Sequence, residues 1–306
     1  MASIVTVGSA VIDRVYVLSN LPEPDGGAFV TDYEERAGGV AANVACALGA
    51  LEHETAVLSR VGHDDAAELI VDSLQGYGVD VSAIQRGSAD SSYTLVLRGP
   101  DGNRMIVAGG DSVPELRLGE RDRDRLQAAD GVFTSAYAPD RVVSELVELR
   151  RAGDIARLVF DLSGPLSELE GRGTAPETID ALAGTADLFI TNEVAARSYL
   201  ERAPEDAARR LNEAGAARVA VTAGSDGAYL AESGTDPIHV PAVGRDVVDT
   251  TGAGDQFTAA LTHAWVLDGQ SPAEAGRTAA TAAAQNCTAA GPRGALATPA
   301  DLRGDR

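Results

Sequence analysis

The chain contains no lysine; all 25 of its basic residues are arginine. That absence excludes chemistry resting on a lysine amine, such as Schiff-base formation or a Walker-type phosphate clamp. Aromatic residues make up only 4%, so the core cannot be built mainly on large rings. The two cysteines, Cys46 and Cys287, stand far apart in alanine-rich apolar stretches. They read as reduced core thiols, not as a disulfide framework or a thiolate metal site. His53, His63, His239 and His263 lack zinc-ligand spacing. No apolar run approaches the length of a membrane span. The opening MASIVTVGSAVID has neither the basic head nor the apolar stretch of a secretory signal, so a cytoplasmic location is expected. No Gly-x-Gly-x-x-Gly follows the first apolar run, which argues against a dinucleotide-dependent oxidoreductase.

What is present is acidic charge and small side chains. Among 306 residues, 46 Asp and Glu oppose the 25 arginines, a net charge of −21. A surface of that sign repels nucleic acid and anionic membranes, so neither is an expected partner. The acidic residues are strewn along the chain, as suits a high-salt, halophilic cytoplasm that screens self-repulsion. Hydrophobic residues make up 44%, an ordinary globular share, and 54 residues are alanine. Small side chains in that number favour closely packed helices.

The pattern along the chain is mixed α/β. Apolar runs at Ile4–Val7, Thr55–Leu58, Val132–Ser135, Leu158–Asp161, Leu188–Thr191 and Arg218–Thr222 read as strands. Helical periodicity lies between most of them, at Val40–Leu51, Ala66–Tyr77, Arg141–Arg151 and Glu205–Ala214. Near-continuous apolar runs ending in a polar group are the mark of parallel strands covered on both faces. The expected fold is one α/β domain over residues 1–306, a doubly wound, mostly parallel sheet flanked by helices. Residues 15–37 and 89–111 instead alternate polar and apolar, with turn residues Pro100-Asp101-Gly102-Asn103 inside the second stretch. They predict a small antiparallel β lid, whose inner face must be buried on substrate or on a second copy of the chain in a homodimer.

The most informative segment is DTTGAGD, residues 249–255. Gly252, Ala253 and Gly254 let backbone approach an anion, and the helix that follows directs free N–H groups to the same place. Asp255 stands at the mouth of that pocket. As an ionised carboxylate it would accept a proton from a substrate hydroxyl while the amides hold a phosphoryl group. The long helical patterns from Gln256 to about Leu267 and from Pro272 to about Thr288 complete this third of the chain.

DTTGAGD closely resembles the C-terminal signature of the ribokinase-like (PfkB) carbohydrate kinases. Gly38-Gly39-Val40-Ala41-Ala42-Asn43-Val44-Ala45 resembles the family's N-terminal Gly-Gly-x-x-x-Asn-x-Ala signature. Gly8-Ser9-Ala10-Val11-Ile12-Asp13 resembles its first-strand motif ending in a sugar-binding Asp, and Thr222-Ala223-Gly224-Ser225-Asp226-Gly227 its nucleotide loop. The four motifs stand in family order. The resemblance implies that Asp13, Gly38, Gly39 and Asn43 hold a polyol, with Tyr137 against the sugar or base. It implies that Asp255 is the base, and that Asn192, Thr222, Gly224, Gly227 and Gly254 meet the nucleotide. It further implies ATP and Mg2+, and a monovalent cation such as K+ at Asp249, Thr251 and backbone oxygens near Asn286, Ala289 and Gly291.

The chain also departs from the family. Where the family carries Asn-x-x-Glu, this sequence reads Asn192-Glu193-Val194-Ala195, so the acidic position is alanine. Val11 stands where ribokinases carry an Asn facing the sugar, and Val40 where ribokinases and relatives acting on phosphorylated sugars often place Lys; the missing basic residue favours a neutral substrate, although Arg98 or Arg104 could supply charge from the lid. The expected activity is ATP-dependent phosphorylation of a neutral sugar, as in fructokinase-, keto-deoxy-sugar-kinase- or ribokinase-like enzymes. The alternatives are a nucleoside kinase of the same family and a binding protein that has lost turnover.

Overall fold

The computed structural model describes residues 1–303 apart from Gly102. The strands are β1 (Ser3–Val7), β2 (Val11–Leu18), β3 (Val30–Gly38), β4 (Glu54–Leu58), β5 (Arg60–Val61), β6 (Gln85–Arg86), β7 (Tyr93–Arg98), β8 (Arg104–Gly109), β9 (Gly131–Ser135), β10 (Leu158–Asp161), β11 (Leu188–Asn192), β12 (Arg218–Thr222), β13 (Ala228–Glu232) and β14 (Ile238–Val240). Eight of them form the main sheet in the order β14-β13-β12-β11-β10-β9-β1-β4. The six strands from β12 to β4 are parallel, and β13 and β14 close one edge antiparallel.

Alternation along these strands feeds two cores. Val5, Val132, Leu158, Phe160, Phe189 and Val219 face one side, where they pack with Leu126, Val143, Leu146, Ile179, Leu182 and Leu211 from helices. Ile4, Phe133, Val159, Leu188, Ile190 and Ala220 face the other. There they meet the helices α1 (Val40–Ala50), Ala253–Leu261 and Pro272–Asn286, in which alanine dominates. Small side chains let these helices lie close to the sheet. Each fully buried Phe, Leu or Ile contributes about 1.5–3 kcal/mol of transfer free energy, before the entropy cost of ordering it. This is the doubly wound architecture expected from the strand and helix pattern.

A second, four-stranded sheet runs β3-β2-β7-β8. Its hairpins pair Tyr16 with Tyr33 and Arg98 with Arg104, around the two predicted turns. Gly102 of the second turn lies outside the described residues. The sheet begins at Val11, not at residue 15, and this corrects one expectation. Asp13 does not end the first strand; it is the third residue of β2. The chain turns at Gly8-Ser9-Ala10, where Gly8 adopts φ +136°, and VIDRVYVL then starts a new strand paired with β3 and β7. None of the helices is long and apolar enough to cross a membrane among the described residues.

Candidate active site

The carboxyl ends of the parallel strands gather the polar residues. Asp161 ends β10, Asn192 ends β11, Thr222 ends β12, and Tyr137 follows β9 by two positions. An α/β sheet binds ligands at that edge, because the loops after successive strands open there. A cavity of about 330 Å3 lies between these ends and the small sheet. Asp13, Arg36, Thr94 and Arg104 line it from the small sheet; Tyr137, Asp161, Asn192 and Thr222 from the main sheet; and Thr251, Gly252, Gly254 and Asp255 from the turn before the helix Ala253–Leu261 and the first turn of that helix. A second, more apolar cavity of about 400 Å3 is lined by Thr222, Gly224, Gly227, Ala253, Phe257, Ala280, Ala284 and Cys287. Thr222, Thr250 and Gly254 border both cavities, so the two meet at the glycine-rich loop. A larger groove of about 820 Å3 is lined by Pro139, Arg141, Leu166, Glu170 and Arg172, from the segments that follow β9 and β10.

That loop has a local cause. Gly252 sits at φ +78°, and a Cβ there would come within 2.3 Å of the Pro292 carbonyl oxygen. Only glycine permits that turn, and the helix starts at the next residue. The helix therefore begins at Ala253, three residues before the expected Gln256, and Asp255 lies inside its first turn with the free N–H groups beside it.

Asp255 is held by a partly buried relay. Asn43, on α1, donates from Nδ2 to Asp255 Oδ2 at 2.7 Å. The Asn43 oxygen accepts from Arg293 Nε at 2.9 Å, and Arg293 also donates to Ser73 Oγ at 3.0 Å. The Asn43 amide is thus spent on Asp255 and Arg293; it is buried and does not line the cavity. Gly38 and Gly39 also lie behind the cavity wall, where they allow close packing: a Cβ on Gly38 would meet Asp13 Oδ2 at 2.1 Å, and one on Gly39 would meet the Ser9 carbonyl at 2.5 Å. Asp13 faces the cavity between Arg36 on β3 and Thr94 on β7.

The carboxylates correct a second expectation. Asp255 is not simply kept ionised by the helix start. Its pKa is raised to about 7, chiefly by burial. The Asn43 hydrogen bond and the Arg293 charge oppose that rise, while the Asp161 and Asp13 charges add to it. Asp161 is raised to about 6 by burial, against hydrogen bonds from Ser163 and Thr258. Burial raises Asp13 as well, against the pull of Arg36. A carboxylate balanced near neutrality is a better proton acceptor than one fully stabilised as an anion.

The remaining predicted residues take these places. Tyr137 lines the cavity and donates its hydroxyl to Glu168 at 2.7 Å. Asn192 lines it too, while its side chain caps the next helix by accepting from Ala195 N at 2.9 Å and donates to the Ser163 carbonyl at 2.6 Å. Ala195 is buried; Glu193 turns to an ion pair with Arg197 at 2.8 Å. Asp249 is buried beneath Thr251. Sequence reasoning passed over Asp161 and Arg36. A polar residue ending an apolar strand was the available signal for Asp161. Arg36 announces itself only through its cross-strand register with Asp13.

Comparison with known proteins accords with this geometry. Residues 1–299 match the model of the pfkB family carbohydrate kinases. An ATP-dependent ribose-1-phosphate kinase of Halopiger xanaduensis is 30% identical over 270 residues, 88% of this chain and 86% of that protein. A 2-dehydro-3-deoxygluconokinase of Bacillus subtilis is 30% identical over 79% of this chain and 78% of its own length. The structure of Arabidopsis thaliana ribokinase complexed with ribose and ATP superposes with a TM-score of 0.83 at 25% identity, covering 99% of this chain and 97% of that one.

Proposed function

The chain belongs to the pfkB family of carbohydrate kinases, and from that premise we propose that it transfers the terminal phosphoryl group of ATP to a hydroxyl of a small neutral sugar, with Asp255 as general base. The observation that carries the reading is the position of Asp255. It is half-buried, balanced near pH 7, hydrogen-bonded to Asn43, and set where two cavities meet at a helix N-terminus.

The acceptor sugar occupies the cavity of Asp13, Tyr137 and Asp161, with Asp13 accepting from its hydroxyls. The nucleotide lies in the apolar cavity along Thr222, Gly224 and Gly227, its phosphates reaching Gly252, Ala253 and Gly254. Asp255 takes the proton of the attacking hydroxyl, and the backbone N–H groups of the loop stabilise charge on the transferring group. The small sheet acts as the lid that excludes water. Its exposed Met105, Ile106 and Val107 support pairing of two copies through their lids. Asp161 and Asp255 are the cavity carboxylates that would hold Mg2+, which when bound with the nucleotide would supply neutralisation of phosphate charge; no larger group of metal-ligating side chains gathers among the described residues.

A second reading has the acceptor carry a phosphate of its own. Arg104 on the cavity wall favours it, as does the activity named for the Halopiger relative. The test is nucleoside-diphosphate release from MgATP in molar KCl across neutral sugars, keto-deoxy acids, nucleosides and ribose 1-phosphate. Turnover with one compound, falling about 10²–10⁴-fold in Asp255→Asn, is the expected result. A variant with near-normal turnover removes Asp255 as the base.

A further inference from the structure

The family implies a monovalent cation beside the glycine-rich loop, at Asp249, Thr251 and the backbone near Asn286, Ala289 and Gly291. The residues present do not fit it. Asp249 Oδ1 accepts from the Thr251 N–H at 2.9 Å and from the Thr251 hydroxyl at 2.7 Å. Its Oδ2 accepts from the Gly291 N–H at 3.0 Å. The Thr251 carbonyl accepts from Asn286 Nδ2 at 2.9 Å. What remains of the Asp249 charge faces Arg36, whose Nη2 is 4.0 Å from Oδ2. Arg36 Nη1 is also packed on Gly291, close enough that a Cβ there would stand 2.9 Å away. The guanidinium therefore lies beside two of the expected ligand positions. An added cation would meet a like charge that water screens only in part, since the Arg36 side chain is 19% exposed. Asn286 Oδ1 is the one buried side-chain oxygen there without a partner among the described residues, and a hard cation needs a shell of oxygens.

We infer that Arg36 replaces the monovalent cation in this kinase. Its guanidinium stands beside Asp249 and Gly291, and Asp249 in turn accepts from Thr251 and Gly291, which ties down the Thr250–Gly254 turn that presents the backbone N–H groups. Arg36 is a positioning residue, and potassium has no specific role beyond ionic strength. The inference rests on the kinase reading only for its activity assay.

Two measurements test it: turnover with the accepted sugar, and calorimetric affinity for MgADP, each in KCl, NaCl and tetramethylammonium chloride at equal molarity. The wild type should vary by less than about twofold among the salts in both. Arg36→Gln should lose about tenfold or more of MgADP affinity in tetramethylammonium chloride, the worth of one charge-assisted contact, and regain part of it in KCl. Arg36→Lys should restore salt indifference. A wild type that binds MgADP about tenfold more tightly in KCl than in tetramethylammonium chloride overturns the inference, as does a folded Arg36→Gln with unchanged affinity in all three. Should Arg36→Gln not fold, the wild-type comparison still decides. Silence across the sugar panel would remove the kinase reading, while the MgADP affinities would still judge Arg36.

Discussion

Replacing Asn43 by leucine should displace the acid limb of the pH–rate profile while leaving catalysis at high pH largely intact. Asn43 contributes one 2.7 Å hydrogen bond to Asp255, and that bond is what most opposes the upward push of burial on its pKa. Leucine fills similar space and donates nothing. A hydrogen bond to a charged group is worth about 1.5–3 kcal/mol, and each pKa unit corresponds to about 1.4 kcal/mol. The Asp255 pKa, about 7 with Asn43 present, should rise by roughly 1–2 units. At pH 7 the ionised fraction would fall from about one half to roughly 1–10%, and kcat/KM would fall by about 5- to 50-fold. Near pH 9.5 most of the loss should be recovered. The assay is kcat/KM for the accepted sugar from pH 5.5 to 9.5, beside a melting curve at each pH. Recovery at high pH separates a shifted base from a damaged fold, because a packing defect does not heal with pH. An acid limb that stays in place, in a variant that melts cooperatively, would refute the assignment of Asn43 as the group that tunes Asp255.

Other expectations follow from the same charges and turns. Asp255 is held above its unfolded pKa of 3.8, so its folded form binds the proton more tightly and the fold loses stability as pH rises from about 4 through 7. Asp255→Asn should therefore raise the melting temperature at pH 8 by several degrees, a gain of the order of 2–4 kcal/mol that shrinks toward pH 5; an equal gain at both pH values would contradict the buried-charge argument. Gly252→Ala forces a Cβ against the Pro292 carbonyl at a positive φ; it should cost about 1–3 kcal/mol of stability and weaken MgADP binding in calorimetry. His53 is lowered to about 4 by burial and by His263, whose ring nitrogen lies 2.9 Å away. Its stabilising share is complete above pH 6.5 and is lost as pH falls toward 4, so His53→Gln should flatten the acid side of the melting-temperature profile. A profile that keeps its acid slope in that variant would assign the slope elsewhere.

Much of this protein was legible without coordinates. The apolar runs ending at Asp161, Thr191 and Thr222 set parallel strands, because only strands covered on both faces read as continuous apolar stretches. DTTGAGD marked a helix start beside a tight turn, because glycine and small residues there have few other uses. The alternating segments marked a separate small sheet. Tertiary structure alone decided the rest, since those properties depend on residues brought together from distant parts of the chain. The pKa of Asp255 follows from burial and from Asp161, Asp13 and Arg293, none of which is near it in sequence. Asn43, legible as a polar helix residue with a choice of partners, was committed by the fold to Asp255 and Arg293. Arg36, unremarkable in ERAGG, was set opposite Asp13 by the pairing of β2 with β3, and the fold brought Asp249 and Gly291 to it. Local propensity sets where elements begin and what faces they bury; the charge state of a buried group is set by whatever the finished packing leaves around it.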